Sequence, residues 1–591
     1  IIYGLALAAV TLASCSDFLD KEPSNKLDAG KFFANESELA LYANGLYVDM
    51  IPSAEDLTNS GSGTCDYLAT STTSSLLMPD FNADKMSGWT YSAWTNLYRC
   101  NYFLKNIDKA AATTDVATLN HYRGVAKFWR AYFYFDKVKT YGNLPWYSEP
   151  IDAGDSIQLY KERDSREVIM DSVLQDINYA CKYIRGGKDE LVSRYAALAL
   201  KSRICLFEGT YRKYHAVNPS TNQPWQETDG ARKYLQACVD ASEKLMNSGE
   251  YSLVNTGKPA TDYRSLFQSE KPNTTEIIMA REYSADLQST HNVTQKFNSA
   301  GNDTRRWSPT QDFVNTYLNL DGSRFTDATD YDKKTFAENC TNRDYRLQQS
   351  VITPTYIKNM NGTPSRYNAT WSVTMTGYQV IKFNMDDTYY EQTSRCSNAI
   401  PIFRYAEILL NEAEAKAELG EMDENVWDKT IRPIRERAGV NGKAPATADP
   451  YMISYYNNKV TDKWLLEIRR ERAIELFFEG GGLRYDDLMR WAEGDMLMKP
   501  WNSIYIGSKD VAYDTNGDGV KDLEVVDKKP SSTPSGVFLV DLSKSNYYTF
   551  KDGRLYITNE NSWTDRKYLH PIPKAALVKN PNLKQNYGWE Q

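Results

Sequence analysis

Apolar residues recur at three- and four-residue spacing in several blocks of the chain, the periodicity of an amphipathic α-helix. These blocks are 120–140, 165–184, 193–212, 231–248, 404–419, 427–438 and 461–479. Within 193–212 and 404–419, alanines mix with large aromatic and aliphatic residues. Small residues let helices approach closely while large ones fill the gaps, as in tetratricopeptide-like (TPR-like) helical hairpins. Because the repeat period is irregular, the pattern predicts TPR-like helix pairs and no consensus array.

Helical periodicity fades between about 255 and 400 and again after 495, where Asn, Thr, Ser, Asp and Tyr dominate. Only short alternating stretches, such as 536–540 and 554–557, indicate strands there. We therefore predict a mainly α fold, in which a TPR-like helical hairpin scaffold carries large loop-rich insertions and a few short strands. A single domain would span 35–591, with its helical core at about 95–254 and 400–491. Long irregular segments on a rigid scaffold usually carry function, so the ligand side is expected at about 55–94, 255–399 and 492–591.

The first 14 residues form an apolar run that ends at Cys15. The run is too short to span a bilayer, which takes about 20 apolar residues, and it fits the core of a secretory signal peptide. Leu12-Ala13-Ser14-Cys15 has the pattern of a bacterial lipobox, in which the cysteine becomes the lipidated first residue. We predict a lipoprotein signal peptide at 1–14, lipidation of Cys15 and a tether over 15–34. The alternative is an ordinary signal peptide followed by a chance cysteine.

Composition and charge exclude several classes of function. The formal net charge is −8 and no basic stripe appears, which argues against a nucleic-acid partner. Histidines are few and the HExxH, GxxxxGK[ST] and CxxC patterns are absent, so zincin, P-loop and thioredoxin-type chemistry lack their sequence signals. Scattered cysteines, odd in number once Cys15 is set aside, make no disulfide framework. The 42 tyrosines and 13 tryptophans are the unusual feature, since such side chains suit half-wet binding grooves.

A series of short motifs resembles the SusD-like (RagB/SusD) family along nearly the whole chain. The N-terminal members are Asp17-Phe18-Leu19-Asp20 with Pro23, Trp94 to Tyr98 with Asn101, and Arg123 to Pro145. The later members are Pro309-Thr310 with Tyr317 and Asp321-Gly322, Arg404 to Ala413, Arg470 to Trp491, His570 to Pro573, and Asn580 to Asn586. Gly480 to Gly482 make one turn slightly longer than the family's usual form. Each motif alone is weak evidence for the family, but the occurrence of all of them in this order over the whole chain is a specific resemblance.

The resemblance implies a protein without catalytic activity that is lipid-anchored in the outer membrane and faces the cell exterior. Members of the family capture oligosaccharide or polysaccharide and sit as a lid over a SusC-like TonB-dependent transporter. Their TPR-like face packs on that transporter. The scaffold does not encode the ligand class, so a family member that binds peptide or another non-glycan nutrient is an alternative. A secreted carbohydrate-active hydrolase and a pure protein-interaction scaffold are two further alternatives.

Sugars are bound by stacking on aromatic rings and by hydrogen bonds from Asn, Asp, Gln and Arg side chains. We expect ligand contacts where such residues cluster outside helical periodicity, in segments 61–94, 283–307 and 367–378. The candidates are Asp66, Tyr67, Trp89, Tyr91, Tyr283, Asn292, Arg305, Trp307, Trp371 and Tyr378. No family motif fixes these positions, and the alternative role for each residue is local packing.

Residues 514–522 match the opening positions of an EF-type calcium loop, with Gly519 at the sixth position for the tight turn. The predicted metal ligands are Asp514, Asn516, Asp518, Val520 through its backbone carbonyl, and Asp522. Position 12 is Val525, where a bidentate glutamate is usual. We predict a structural Ca²⁺ that rigidifies the C-terminal loops, and the alternative is a polar turn that binds nothing.

Three glutamates, Glu471, Glu475 and Glu479, recur every four residues on one predicted helical face. Glycosidases need two opposed carboxyl groups, so this row is the best sequence argument for an enzyme. The row lies among Arg469, Arg470 and Arg472, and we interpret it as ion pairs that join helices. The sequence therefore predicts no catalytic residues.

Overall fold

The computed structural model describes residues 32–58, 65–72, 74–152, 154–188, 190–298, 306–532, 534–558 and 560–590. The predicted signal peptide, the predicted lipidation site Cys15 and the tether up to residue 31 lie outside these residues. So does Arg305, one of the predicted ligand contacts.

Helices dominate the described residues, at 44% helix against 11% strand, and this confirms the predicted mainly α class. The first group of α-helices comprises α1 (Glu36–Met50), α2 (Ala54–Leu57), α3 (Tyr91–Asn106), α4 (Val116–Tyr141), α5 (Ser156–Leu159), α6 (Arg166–Tyr183), α7 (Arg194–Tyr214), α8 (Gly230–Met246) and α9 (Asp262–Ser265). The second comprises α10 (Val293–Asn298), α11 (Gln311–Asn315), α12 (Phe336–Cys340), α13 (Tyr345–Ser350), α14 (Tyr405–Leu419), α15 (Glu424–Arg437), α16 (Pro450–Tyr455), α17 (Lys463–Glu475), α18 (Leu483–Arg490) and α19 (Lys574–Lys579). Short 3₁₀ helices span Ser75–Leu77, Ile107–Ala112, Phe325–Asp327, Tyr331–Lys333, Thr388–Glu391, Gly494–Met498, Asp565–Tyr568 and Pro581–Leu583.

The long helices begin and end where local chemistry requires. The Asp115 carboxylate accepts hydrogen bonds from the N–H groups of Ala117 and Thr118 and so caps α4, while Ser165 and Ser193 cap α6 and α7 in the same way. Gly142 ends α4 with a positive φ of 71°, a backbone conformation that side-chain-bearing residues seldom adopt. Each predicted helical block therefore corresponds to a helix of the structure within a few residues.

Neighbouring helices pack in sequence and form the TPR-like scaffold. The long helix α4 packs against α3 and α6, and α7 packs between α6 and α8. Helix α14 then joins the two parts of the chain, because it packs on α8 from the first group and on α15 and α17 from the second. None of the described helices is long and apolar enough to cross a membrane.

The strands are short and form small separate sheets in the described residues. They are β1 (Leu68–Ala69), β2 (Ile277–Arg281), β3 (Ser308–Pro309), β4 (Ile357–Met360), β5 (Thr363–Arg366), β6 (Ile400–Arg404), β7 (Trp501–Asn502), β8 (Ala512–Tyr513), β9 (Leu523–Val526), β10 (Phe538–Asp541), β11 (Tyr548–Lys551) and β12 (Arg554–Ile557). Antiparallel pairs join β1 to β3, β2 to β6 and β4 to β5. The C-terminal strands make the antiparallel order β11–β12–β7 and the mixed order β10–β9–β8, in which β10 and β9 are parallel. The β1–β3 pair brings segment 65–72 beside the segment that follows residue 305.

A buried network of ion pairs surrounds α17 and the turn that follows it. Glu475 binds Arg346 at 3.0 Å and also contacts Arg404 and Arg437. All four side chains are at most 1% exposed. Burial alone would raise the pKa of Glu475, but the three guanidinium groups outweigh it and hold that pKa well below its usual range. The carboxylate is therefore charged and fully paired inside the protein.

The same network takes in the other two glutamates of the row. Glu471 binds Arg346 at 2.9 Å and Arg435 at 2.7 Å, while Glu479 binds Arg404 at 2.7 Å. The predicted ion pairs are therefore present, and they join α13, α15 and α17 to the end of β6. None of the three carboxylates is free to act as a general acid or nucleophile.

We expect Glu475→Gln to lower the free energy of unfolding by about 3–5 kcal/mol, because it leaves buried arginines without their counter-charge. The measurement is urea-induced unfolding followed by tryptophan fluorescence. Asp428→Asn is the matched control: Asp428 pairs with Arg432 at 2.6 Å, but the two side chains are 48% and 36% exposed. That pair should contribute less than about 1 kcal/mol. Equal losses in the two variants would contradict the structural role of the network.

Glu412 on α14 is a buried carboxylate that, unlike Glu475, pairs with no arginine in the described part of the chain. Its side chain is 4% exposed, and Oε2 has no hydrogen-bond partner among the described residues. Burial, together with the negative charges of Glu243, Glu421 and Asp240 against the single positive charge of Lys416, raises the pKa of Glu412 to about 8. Folded Glu412 therefore holds its proton at neutral pH, whereas the unfolded chain releases it near the ordinary value of 4.5.

Because the folded state binds this proton more tightly, the stability contributed by Glu412 is present below about pH 4.5 and is lost as pH rises towards 8. Glu412→Gln should remove that loss and stabilise the protein by about 1–3 kcal/mol at pH 8, with little effect at pH 5. Thermal unfolding of both proteins across this pH range measures the difference. Glu418→Gln should destabilise instead, because it removes the carboxylate charge that pairs with Lys213 at 2.6 Å. A pH-independent effect of Glu412→Gln would contradict the assignment.

Candidate functional site

The first pair of predicted ligand residues lies in the protein interior. Arg484 donates to the Asp66 carboxylate at 2.6 and 2.8 Å, and the Tyr455 hydroxyl donates to it at 2.9 Å. The Tyr67 ring is 2% exposed and stacks on Phe313 with the ring centroids 4.6 Å apart. The structure therefore presents neither side chain to a ligand, and both act as packing and pairing groups.

The predicted residues of the second segment are similarly engaged. The Tyr283 hydroxyl accepts the Ala54 N–H at 2.8 Å, and Asn292 Oδ1 accepts the Ser394 N–H at 2.6 Å. The Trp307 ring is 6% exposed and packs between Phe297 and Phe478. These contacts hold the loops to the scaffold and leave little of the tyrosine or the tryptophan at the surface.

The two predicted residues of the third segment are also internal. Trp371 Nε1 donates to Thr515 Oγ1 at 2.7 Å, and the Tyr378 hydroxyl donates to Gln311 Oε1 at 2.9 Å. Both side chains are at most 3% exposed. The loop-rich segments thus contribute to the main hydrophobic core, and aromatic residues outside helical periodicity help to fill it.

Trp89 and Tyr91 are the predicted contacts that reach the surface. Trp89 is half-buried against Trp94 and Tyr141, with ring centroids 5.3 and 5.0 Å away. Tyr91 is the first residue of α3 and is 87% exposed. Their role in ligand binding stays a prediction.

The predicted calcium loop is closed by its own hydrogen bonds. Asp514 accepts the N–H groups of Gly517 and Gly519, each at 2.7 Å, and Asp522 accepts the Asn516 amide at 2.6 Å. Burial and the charges of Asp514 and Asp518 raise the pKa of Asp522 to about 6. No group of three or more His, Cys, Asp or Glu side chains in the described part of the chain is placed to hold a metal ion. The arrangement gives the calcium prediction no support, and it stays a prediction.

Calcium that binds only the folded protein would raise the midpoint of thermal unfolding. On the calcium prediction, millimolar Ca²⁺ raises this midpoint relative to EDTA, and Asp518→Asn removes the difference. Equal midpoints in Ca²⁺ and EDTA would contradict it and favour the metal-free polar turn.

A second group of polar and aromatic side chains converges around Asp312, in the first turn of α11. We name it the Asp312 cluster and define it by Asp312, Tyr331, Tyr451, Lys499 and Tyr556. Asp312 and the three tyrosines are half-buried, so each keeps part of its side chain at the surface. The rings of Tyr331 and Tyr451 meet edge to face with their centroids 6.0 Å apart. Half-buried aromatic rings beside a carboxylate are the materials of a sugar-binding surface.

Hydrogen bonds fix Asp312 from two sides. Asn502 Nδ2 donates to Asp312 Oδ1 at 2.9 Å, and the Asp312 N–H donates back to Asn502 Oδ1 at 3.1 Å. The Tyr451 hydroxyl donates to the Asp312 backbone carbonyl at 3.0 Å. Asp312 Oδ2 accepts no hydrogen bond from the described residues. One carboxylate oxygen is therefore held in place while the other stays available to a ligand.

The charge of Asp312 acts on all three tyrosines. Burial is the largest cause that raises the pKa of Tyr331, Tyr451 and Tyr556, and the Asp312 carboxylate raises each further. The three hydroxyls are therefore neutral hydrogen-bond donors at physiological pH. Those of Tyr331 and Tyr556 have no hydrogen-bond partner among the described residues, so they too are available.

Lys499 completes the cluster as its cation. Its ammonium group donates to the Tyr455 carbonyl and lies over the Tyr455 ring, 4.4 Å from the centroid. Burial lowers the pKa of Lys499, and the carboxylates of Asp66 and Asp312 oppose that shift. Arg554 lies nearby and donates to the Ser503 carbonyl at 2.9 Å and to the Asp332 carbonyl.

Comparison with known proteins gives two matching sequence families. The SusD family matches residues 275–589, more than half of the chain, and a family described as "Starch-binding associating with outer membrane" matches residues 35–215. This chain belongs to the SusD family. The match to the second half of the chain covers α14 to α18 and the whole ion-pair network.

Curated relatives agree with this assignment. The SusD-like protein P38 of Formosa agariphila is 26% identical over 411 residues, which are 65% of this chain and 69% of that protein. The SusD-like protein P25 of the same organism is 23% identical over 297 residues, 46% of this chain and 50% of that protein.

Solved structures show the same fold. A SusD-like protein from Bacteroides fragilis has a TM-score of 0.67 at 21% identity, covering 95% of this chain and 98% of its own. A SusD-like carbohydrate-binding protein from the same species has a TM-score of 0.66 at 21% identity, covering 94% and 100%. The surface glycan-binding protein A of Bacteroides fluxus has a TM-score of 0.56 at 18% identity, covering 94% and 100%.

The Asp312 cluster was not among the residues predicted from the sequence. Its members come from five separate segments of this SusD-family chain, so no local run of residues marks it. The one sequence signal for the cluster is the alternating stretch 554–557, which forms β12. In the antiparallel pairing of β12 with β7, residue 556 lies opposite Asn502. That register places Tyr556 beside the asparagine that holds Asp312.

Proposed function

We propose that this SusD-family protein is a non-catalytic glycan-binding protein at the cell surface, and that the Asp312 cluster is a contact site for the glycan. The observation that carries the proposal is the set of half-exposed tyrosine rings around a carboxylate with one available oxygen. Rings stack on the apolar C–H faces of sugars, while Asp312 Oδ2 and the tyrosine hydroxyls hydrogen-bond to sugar hydroxyls. The printed descriptions of two structural neighbours, carbohydrate binding and surface glycan binding, support the same class of ligand.

Delivery to a SusC-like TonB-dependent transporter completes the proposed role. The lipobox at Cys15 supports anchoring in the outer membrane with the protein facing the exterior. The matched family description, starch binding in association with the outer membrane, supports the same compartment. The TPR-like helices offer the protein-facing surface, and the loop-rich side faces the nutrient.

The absence of catalysis is part of the proposal. A glycosidase needs a protonated acid opposite a free carboxylate. Glu471 and Glu475, which gave the best sequence argument for an enzyme, are each bound by two or more arginines in the interior. Product analysis of each binding mixture tests this point, and release of shorter sugars would contradict it.

Tyr331→Ala and Tyr556→Ala should each weaken glycan binding by about 1–2 kcal/mol, roughly 5- to 30-fold in Kd, because each removes a stacking ring. The measurement is isothermal titration of the full chain, in a detergent without a sugar headgroup, against neutral and anionic oligosaccharides. Tyr160→Ala is the matched control, since Tyr160 is 50% exposed, directly follows α5 and lies beside Asn582. It should leave the affinity unchanged.

In the same titrations, Trp89→Ala shows whether glycan binds at the Asp312 cluster or at the surface formed by Trp89 and Tyr91. A loss of affinity in this variant, with none in the two tyrosine variants, would move the site to the Trp89 and Tyr91 surface. Binding of peptides and of no glycan would contradict the proposed function and favour the non-glycan alternative.

A further inference from the structure

Asp312 is a half-buried carboxylate without an ion pair. No Lys, Arg or His nitrogen in the described ranges lies within salt-bridge distance of it, and its one side-chain hydrogen bond comes from the neutral Asn502 amide at 2.9 Å. The protein interior behind it is different, since Asp66, Glu471 and Glu475 are each paired with arginine. Asp312 therefore lacks the arginine partners of these interior carboxylates and lies beside half-buried tyrosines.

The two nearby cations are directed elsewhere. Lys499 donates to the Tyr455 carbonyl and lies over the Tyr455 ring. Arg554 is 6% exposed and donates to the carbonyls of Ser503 and Asp332, and its guanidinium carbon lies 5.7 Å from the centre of the Tyr505 ring. Protein carbonyls therefore take one N–H group of Lys499 and two of Arg554, which directs that part of each cation away from the tyrosines.

The remaining charged groups around the cluster do not outweigh the negative charge of Asp312. Asp332 and Asp552 are exposed at its edge. The Asp312 carboxylate raises the pKa values of Tyr451 and Tyr556 more than Arg554 lowers them. At Tyr331, Asp332 and Asp312 each raise the pKa more than Arg554 lowers it. Around Lys499 the further groups are Asp66 and Glu493 against Arg484. The carboxylates therefore outweigh Arg554 at each of the three tyrosines.

We infer that the Asp312 cluster selects uncharged sugars and rejects sugars that carry carboxylate or sulfate groups. The inference rests on the proposed function. An uncharged sugar donates its hydroxyls to Asp312 Oδ2 in charge-assisted hydrogen bonds, which are stronger than neutral ones. A uronate or sulfated sugar brings a second negative charge to a carboxylate that forms no ion pair with the described residues, and like charges at a few ångströms repel. Asp312 is thus a specificity-determining residue, through the ligand it excludes as well as the one it holds.

The test compares the wild-type full chain with Asp312→Asn in titrations against malto-, cello-, laminari- and xylo-oligosaccharides and against oligogalacturonate and sulfated oligosaccharides of similar length. Asparagine keeps the shape and an oxygen acceptor for the Asn502 amide while it removes the charge. We expect wild type to bind members of the neutral set at least tenfold more tightly than any anionic member. Asp312→Asn should shrink that ratio at least tenfold, by weaker binding of the neutral sugar, stronger binding of anionic ones, or both.

Asp286→Asn is the matched control, because it removes the same charge from an exposed position outside the cluster. It should leave the ratio unchanged. Wild-type binding of an anionic sugar as tightly as any neutral one would overturn the inference and leave the proposed function standing. An unchanged ratio in Asp312→Asn would overturn it in the same way. Binding of no sugar in either set would overturn the proposed function, and the inference with it.

Discussion

Charged side chains buried around α17 bring distant parts of the chain together. Glu475 alone contacts arginines from α13, β6 and α15, and Arg404 also reaches Glu276, which precedes β2, at 2.9 Å. Removing such charges from water costs several kcal/mol per ion, and only complete pairing offsets that cost. The network therefore restricts how these segments can pack, because a segment in any other position would leave a charge buried without a partner. The helical scaffold and the loop-rich segments consequently form one body.

The position of the Asp312 cluster follows from this network. Phe477, two residues after Glu475, packs on Phe313 with ring centroids 5.5 Å apart, and Phe313 also stacks on Tyr67. With Phe313 fixed in the interior, the preceding residue Asp312 is left at the edge of the core, where Asn502 from β7 holds it. A scaffold held by ion pairs thus places Asp312, which forms no ion pair with the described residues, among tyrosines. The interior carboxylates around α17 are paired with arginines, whereas the Asp312 carboxylate keeps an oxygen available for hydrogen bonds to a ligand.

Much of the fold was predictable from the sequence, and little of the site was. Helices such as α4 and α7 have strong apolar periodicity and capping residues at their N-termini, and α4 also has a clear stop at Gly142, so local pattern was sufficient. Ion pairing of Glu471 and Glu475 between helices was also predictable from their charged surroundings, but their arginine partners lie on other segments of the chain and could not be named. Trp371 and Tyr378 show the limit of prediction, because an aromatic residue in a loop has the same sequence pattern whether it lines a groove or fills the core. The Asp312 cluster depends on contacts between five distant segments, which no local pattern encodes.

A crystal structure of the protein with a bound oligosaccharide would show whether glycan binds on the tyrosine rings around Asp312. We expect a sugar ring stacked on Tyr331 or Tyr556, with a sugar hydroxyl within hydrogen-bond distance of Asp312 Oδ2. An oligosaccharide seated on Trp89 and Tyr91, with the Asp312 cluster left untouched, would contradict it.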